Sequence, residues 1–429
     1  MLRTHFVNEL GASLAGKEVK VAGWVHEVRE LGGLTFLLLR DSTGIVQITG
    51  SKKVSKEIVK SLSLPKESVV SITGTVTANK EARNGFEIIP KSVVNLNPLS
   101  SKIPFEVTGK VPAELPVRLN YRYIDLRRQQ STAIFKIQSA ILKAFREFFT
   151  DKKFIEIITP SIVWEATEGG SDLFKIDYFE EDAYLSQSPQ LYKQLAIIGG
   201  LDRVFMVVPV FRAEKSNTTY HLAESTQMDI EVGFADHNEA IRLLADALVH
   251  IIKSIQKENV QDLKILGIEN LAVPSVKIMN YVDVIPALNS KGSVMMFGDD
   301  LVKEDEKLVS QIYGDAVIIK EYPRQVRAFY SMPNEKNPEI ANAFDLIYKG
   351  IEVCSGAQRI HLPELLKESI KRNGMDPESF SFYINAFRCG APPHAGWSIG
   401  LERLTMAITN SDNIRECSMF PRDRFRLTP

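Results

Sequence analysis

The sequence predicts an α+β chain: a small N-terminal OB-fold β-barrel, a hinge, and a larger domain with an antiparallel sheet flanked by helices. Three observations carry this. Short alternating segments between residues 18 and 90, with one helical stretch among them, match a five-stranded Greek-key barrel. Pro98, Pro104, Pro112 and Pro116 then recur without apolar periodicity, as in a linker. Beyond residue 130, strand runs and helices mix without regular strand–helix alternation. At 429 residues the chain can bury two or three cores, and the expected division is 1–100, a hinge at 101–130, and 131–429.

In the first part, strands are expected around Val19, Val21 and Trp24, from Thr35 to Leu39 and from Ile45 to Ile48, with a turn at 41–44. A lysine-rich helix at 51–63 follows, then strands from Ser68 to Thr77 and Phe86 to Ile89 around an Asn84-Gly85 turn. Residues 11–18 nearly fit a phosphate-binding loop. Glu18 stands where a Ser or Thr would hold magnesium, and no apolar strand precedes it, so a surface turn is expected. After Ser131, Ile134, Ile137, Ile141, Phe145 and Phe148 share one helical face, and Phe154 begins a strand leading to Thr159-Pro160. Further helices are expected at 239–257 and 363–373; residues 255–345 carry few other signals.

With 44% apolar and 24% charged residues, disorder and fibrous repeats are excluded. Lys+Arg 52 against Asp+Glu 53 leaves a net charge of -1, which predicts no partner and excludes none, nucleic acid included. The absence of an apolar leader or a spanning run makes a cytoplasmic protein the expectation. Cys354, Cys389 and Cys417 form no metal or disulfide pattern, so packed, reduced thiols are expected.

Three segments carry chemistry. Val204 to Glu214 and His221 to Val232 read as an antiparallel hairpin around a polar loop at 215–220. Arg212 and Glu214 would share one face of its first strand, and Gln227, Asp229 and Glu231 one face of its second. Such a face is either solvated or holds a polar ligand; the pattern alone favours solvation. In Gly350 to Arg359, small residues at 355–357 suggest a bend. Glu352 and Ser355 would suit magnesium, whereas the bland reading pairs Glu352 with Arg359 at the surface. Finally, Pro392-Pro393-His394 to Arg403 places Gly396 and Gly400 where backbone approaches a ligand, and Arg403 where a guanidinium fork can meet phosphate.

Together these segments resemble the three signature motifs of class II aminoacyl-tRNA synthetases: the helix and strand ending at Pro160, Phe211 to Glu231, and Gly400 to Arg403. Gly23-Trp-Val-His-Glu-Val-Arg29 in the barrel narrows the likeness to subclass IIb. Thr167 to Phe174 and Gln187 to Gln194 resemble the aspartyl-tRNA synthetase family of the compact archaeal and eukaryotic type, as does the ending Phe420 to Pro429. Asparaginyl enzymes usually lack the lysine and proline of the 187–194 string.

The resemblance implies aspartate activation by ATP and transfer to tRNA(Asp). Arg212 would meet the α-phosphate, Arg403 and His221 the γ-phosphate end, and Glu214 the adenine amino group, with Tyr220, Leu222 and Gly400 completing the ATP site. Glu352 and Ser355 would hold Mg2+. Lys193 and Arg359 would pair with the aspartate side chain, while Glu168, Ser188, Gln190, Arg212 and Ser355 complete its pocket. No general base is needed, because the substrate carboxylate is already the nucleophile.

In the barrel, the resemblance implies anticodon contacts from Arg29, Phe36 and Gln47, with Phe36 stacking on a base or else filling the barrel core. It also implies a homodimer. Whether tRNA(Asn) is charged too stays open: the loop at 79–86 lacks the proline associated with relaxed members of the family, while His26 points the other way. Two alternatives remain, an asparaginyl-tRNA synthetase and an OB-fold nucleic-acid-binding protein with an inactive synthetase-like domain.

Overall fold

Alternating apolar residues close five strands into a barrel in the order β1-β2-β3-β5-β4: β1 (Glu18–Leu31), β2 (Leu34–Arg40), β3 (Ile45–Gly50), β4 (Val69–Ala78) and β5 (Phe86–Asn97). The computed structural model describes residues 1–51, 54–164 and 173–429, and its contacts divide into two units, Met1–Arg128 and Gln129–Pro429. Val19, Val21, Val25, Leu37, Leu39, Val46, Ile48, Val70, Ile72 and Ile88 fill the barrel. Each such side chain withdrawn from water contributes about 1.5–3 kcal/mol. A Cβ at Gly23 would stand 2.2 Å from the Arg40 carbonyl oxygen, so only glycine fits there.

Three register shifts re-phase the barrel strands, one of them between Val69 and Val70 near the start of β4. The β1 register shifts between Val25 and Glu27, leaving His26 as the extra residue. The β4–β5 register shifts at Thr73/Gly74, next to Pro90, whose missing N–H suits a bulge. β5 runs well past Ile89: its mostly exposed second half pairs with β4 through backbone, and its Val93-Val94 pair breaks the alternation that would announce a strand. Helix α1 (Lys56–Ser61) is shorter than the lysine-rich stretch and begins where the Ser55 hydroxyl accepts the Ile58 N–H. The 11–18 segment is a surface turn that runs into β1.

The expected hinge carries α2 (Leu115–Asn120) and α3 (Arg122–Asp125) and belongs to the first unit. Arg122 and Asp125 are buried as a pair at 2.6 Å, and Arg127 donates to Glu67 at 3.0 Å.

The second unit begins with α4 (Gln129–Asp151), which buries Ile137, Ile141, Phe145 and Phe149; Phe148 packs only at the margin. There follow β6 (Ile155–Glu156), β7 (Ile162–Val163), β8 (Lys175–Tyr178), β9 (Glu181–Leu185), α5 (Gln190–Ile198), β10 (Arg203–Phe211) and β11 (Glu224–Gly233). Next come α6 (His237–Glu258), α7 (Val260–Ile265), β12 (Lys277–Asn280), α8 (Tyr281–Asn289), α9 (Lys303–Tyr313), β13 (Ala316–Lys320), β14 (Ala343–Tyr348) and β15 (Ile351–Gln358). The unit ends with α10 (Pro363–Arg372), α11 (Ser381–Arg388), β16 (His394–Gly400) and α12 (Leu401–Thr409).

The principal sheet has the order β12-β13-β14-β15-β16-β11-β10-β6. It is mixed, not purely antiparallel as the sequence suggested: β12 pairs parallel to β13, and β6 parallel to β10. In both cases helices lie between the paired strands in sequence, and a parallel pair needs such a crossover. The six strands between the two edges are antiparallel. Met228, Ile230 and Val232 of β11 face the apolar layer of α4 and α6, where the Trp397 indole N–H donates to the Ala240 carbonyl at 3.1 Å. The alternate residues of β11 are therefore left for the opposite face, which carries the site.

Candidate active site

β10 and β11 pair from Arg203↔Val232 to Phe211↔Glu224, so the connecting loop spans 212–223 and is longer than the sequence implied. Arg212 and Glu214 lie in that loop, not on a strand. The Arg212 N–H donates to the Ala223 carbonyl at 2.9 Å, adding one rung beyond the hairpin. Thr218 Oγ1 lies 2.6 Å from His221 Nδ1, Arg415 donates to the Thr218 carbonyl at 2.9 Å, and Arg424 donates to the Lys215 carbonyl at 2.7 Å. The C-terminal segment thus holds a loop that has no regular structure of its own.

The polar face of β11 is not solvated. Asp229 and Glu231 are 1% and 0% exposed, which overturns the reading favoured by pattern alone. Lys193, on the first turn of α5, places its ammonium 2.6 Å from Asp229 and 3.6 Å from Glu231. Arg359 donates through Nε and Nη2 to both oxygens of Glu231, at 2.9 and 3.2 Å. The surface pair of Arg359 with Glu352 is therefore corrected: the partner is Glu231, two strands away. Gly396 of the intervening β16 makes this possible, since a Cβ there would stand 2.2 Å from Glu231 Oε2. The close approach at Gly396 is thus to a protein carboxylate and not to a ligand. Burial pushes the Asp229 carboxyl up against the pull of Lys193; at Glu231, Arg359 and Lys193 outweigh burial and hold it below the usual range.

Glu352 and Ser355 are an odd number of residues apart and would face opposite sides of a regular strand. The β14–β15 register shifts between Leu346 and Ile347, leaving Val353 as the extra residue on β15. That bulge, not a bend at 355–357, brings both side chains to one side. Ser355 Oγ lies 2.8 Å from Glu352 Oε1 and 2.8 Å from Asp345 Oδ1. Arg327 grips Asp345 with bonds of 3.0 and 2.6 Å and stacks 3.6 Å from the Tyr322 ring centroid. Burial pushes the Asp345 carboxyl up to about 6 despite Arg327. Two carboxylates and a hydroxyl in contact form a hard-oxygen set suited to magnesium.

At the other end, Arg403 donates to the Glu352 carbonyl at 3.1 Å and lies 3.8 Å from its carboxylate. His221 Nε2 lies 4.0 Å from Glu214 Oε2, and burial lowers the imidazole's pKa. The Lys303 ammonium sits over the Tyr220 ring. Glu402 accepts the Thr226 N–H through both oxygens, at 3.2 and 3.0 Å, and burial pushes it up to about 7.

A cavity of about 330 Å3 joins the two ends, lined by Ser188, Gln190, Lys193, Arg212, Glu214, Tyr220, His221, Leu222, Glu352, Ser355, Arg359, Gly400 and Arg403 among others. Every expected ATP- and aspartate-pocket residue is there except Glu168, which lies outside the described residues. The sequence reading missed Asp229 and Glu231 as counterions, and also Arg327, Asp345, Glu402, Gln194 and His394. Asp345 had a readable signal, a single charge within the otherwise apolar Ala343–Tyr348. Cys354 and Cys417 are buried as expected, but Cys389, just past α11, is exposed.

In the barrel, Arg29 pairs with Phe36 and Phe36 with Thr49 across three strands, and Gln47 stands opposite Leu38. Thr35 and Leu37 point inward, so Phe36 is on the outer face and not in the barrel core. Arg29 pairs with Glu27 at 2.7 Å, and the Gln47 amide donates to Glu87 at 3.0 Å.

Residues 114–424 match the family model described as tRNA synthetases class II (D, K and N), and residues 19–96 match an OB-fold nucleic acid binding domain. The aspartate–tRNA(Asp/Asn) ligase of Methanocaldococcus jannaschii is 45% identical over 100% of this chain and 98% of its own length. The aspartate–tRNA(Asp) ligase of Pyrococcus furiosus is 47% identical over the full length of both chains. Among solved structures, asparaginyl-tRNA synthetase from Pyrococcus horikoshii complexed with asparaginyl-adenylate superposes with a TM-score of 0.94 at 31% identity, covering both chains completely. Aspartyl-tRNA synthetase from Entamoeba histolytica gives 0.88 at 33%, covering 99% of this chain and 92% of that one. No described helix is long and apolar enough to cross a membrane. The chain belongs to the class II tRNA synthetases of the D, K and N group, with an OB-fold domain at its N-terminal end.

Proposed function

We propose that this chain is an aspartate–tRNA ligase. The observation that carries this reading is one cavity lined at one end by Arg212, Arg403 and the His221 imidazole, groups suited to phosphate, and at the other by the Lys193–Arg359 pair. A carboxylate oxygen of aspartate attacks the α-phosphorus of ATP, the bond to the bridging oxygen breaks, and pyrophosphate leaves. A ribose hydroxyl of the terminal adenosine of tRNA then attacks the aspartyl carbonyl, the bond from that carbon to the phosphate oxygen breaks, and AMP departs with the hydroxyl proton taken up by its phosphate.

Arg212 neutralises charge that builds on the α-phosphate, Arg403 and His221 hold the γ-phosphate end, and Glu214 accepts from the adenine amino group. Tyr220, Leu222 and Gly400 wall the nucleotide. Catalysis then consists of positioning and electrostatic stabilisation, with no proton removed in the first step. Glu352 and Ser355, joined by Asp345, are the residues that would hold Mg2+. The ion would offset phosphate charge that the arginines leave unbalanced.

Lys193 and Arg359 receive the aspartate side chain, Ser188 and Gln190 its ammonium end, with Glu168 assigned to the same pocket. Arg29, Phe36 and Gln47 form the anticodon surface, for tRNA(Asp) and, in a relaxed enzyme, also tRNA(Asn). A homodimer in the cytoplasm is part of this reading; what supports the pairing is that β6 is an edge strand with Ile155, Ile158, Ile162 and Trp164 exposed beside it. An asparaginyl reading is favoured only by the likeness to the asparaginyl structures, at lower identity than the aspartate ligases. Pyrophosphate exchange with each amino acid decides between them. Exchange driven by asparagine and not by aspartate overturns this assignment, and exchange driven by neither returns the chain to a binding protein.

A further inference from the structure

One hydrogen-bonded chain runs from behind the pocket and reaches it only at its last member, Gln190. His394 opens β16 with its side chain fully buried. Its Nδ1 lies 2.8 Å from the Pro392 carbonyl oxygen, which can only accept, so Nδ1 carries the proton. In the neutral ring Nε2 is then an acceptor, and it lies 2.8 Å from the Gln194 side-chain nitrogen. With its NH2 so committed, Gln194 turns Oε1 the other way, where it accepts from the Tyr383 hydroxyl at 2.8 Å and from Gln190 Nε2 at 2.9 Å. Gln190 and Gln194 are one helical turn apart on α5 and can meet only on that side.

Each step has one allowed sense. A backbone carbonyl fixes a tautomer, the tautomer fixes one amide, and that amide fixes the next. The last group is Gln190, whose NH2 is held by Gln194 and which lines the cavity beside Ser188 and Lys193. Burial lowers the pKa of His394, and Arg359 adds to this, while Glu231 and the Pro392 bond pull upward.

We propose that His394 is a positioning residue for the amino-acid pocket: through Gln194 it orients the Gln190 amide so that Gln190 presents its carbonyl oxygen, not its NH2, to the ammonium group of the substrate. This rests on the assignment of the cavity to an α-amino acid. A wrongly turned Gln190 would set N–H against N–H, whereas an oxygen there accepts a charge-assisted hydrogen bond.

The test is a double-mutant cycle read in pyrophosphate exchange. His394→Leu raises the KM for aspartate about tenfold or more, the loss of one hydrogen bond to a charged group, and leaves the KM for ATP unchanged. Gln190→Met leaves no amide to orient and sets no second acceptor against Gln194 Oε1. In that background His394→Leu therefore adds nothing to the aspartate KM. An equal rise in both backgrounds means general loosening and overturns the proposal. Should His394→Leu fail to fold, Gln194→Met replaces it in the same cycle. The 15N spectrum of the unsubstituted protein is a further check: an Nε2–H tautomer at His394 overturns the relay. If aspartate supports no exchange in the unsubstituted protein, the functional assignment fails, while the tautomer measurement still decides the relay.

Discussion

Lys193→Met separates the binding role of this lysine from its structural one. The ammonium is 1% exposed and lies 2.6 Å from Asp229. Methionine keeps an unbranched apolar stem, so the perturbation is the charge. Removing one member of a buried ion pair costs on the order of 3–5 kcal/mol, because the other is left without its partner. The second unit is about 300 residues. At about 2.1 cal/mol/K of unfolding entropy per residue, that cost lowers its melting temperature by about 5–8 °C. Lys193→Met/Asp229→Asn removes both charges and is expected to recover most of the loss. Aspartate-dependent exchange stays down by roughly a hundredfold to a few thousandfold in both variants, which is the same free energy in binding. Calorimetry and ATP–pyrophosphate exchange read the two quantities separately. A single variant that melts with the unsubstituted protein, or a double variant that melts lower still, refutes the pairing; normal exchange in either removes Lys193 from aspartate binding.

Phe36→Ala removes an aromatic from the outer barrel face, so aminoacylation efficiency should fall by the worth of a stacked base, about 1–3 kcal/mol, with amino-acid activation unchanged; loss of both would point to misfolding. Ile158 is 95% exposed near the β6 edge, and Ile158→Asp is expected to halve the particle mass in light scattering; an unchanged mass argues against this edge as the contact. Glu402 is held up at about 7 against an ordinary 4.5. Its folded pKa is the higher one, so its contribution is intact below pH 4.5 and is lost as pH rises through 7. Glu402→Gln escapes that loss and gains up to about 2–3 kcal/mol relative to the unsubstituted protein between pH 5 and pH 8; melting offsets that stay equal at both values would contradict the buried, raised carboxyl.

The elements legible in the sequence were those with an apolar period: the barrel strands, α4, α6 and the hairpin. What escaped depended on contacts distant in sequence. The second half of β5 is held by backbone pairing under mostly exposed side chains that do not alternate. Glu231 reads as an exposed alternate residue until Gly396, more than 160 residues later, admits it beside Arg359. Likewise, the meeting of Glu352 with Ser355 depends on an extra residue at Val353, which side-chain pattern does not signal. The site residues themselves were legible only through the resemblance, since each is weak alone. The structure brings together the described members expected in the cavity.

The counterions change how aspartate must be selected. Two bare cations would attract any anion and reject asparagine through its missing charge. Lys193 and Arg359 instead face Asp229 and Glu231, so the four groups together can be neutral before a substrate arrives. Substrate is not needed to balance charge; it is needed to accept hydrogen bonds. Arg359 commits Nε and Nη2 to Glu231, and Lys193 commits one ammonium proton to Asp229, from a supply of five and three donors. A side-chain carboxylate only accepts, and both of its oxygens can meet the donors that are left. An asparagine amide of the same outline offers one oxygen and turns its NH2 against a donor, leaving buried N–H groups unpaired at about 1–3 kcal/mol each. Selection on this basis depends on where protons point as well as on net charge, so the pocket needs its own polar groups fixed in one sense. The ladder of Pro392, His394, Gln194 and Gln190 supplies that at the ammonium end, as the Glu231–Arg359 fork does at the side-chain end.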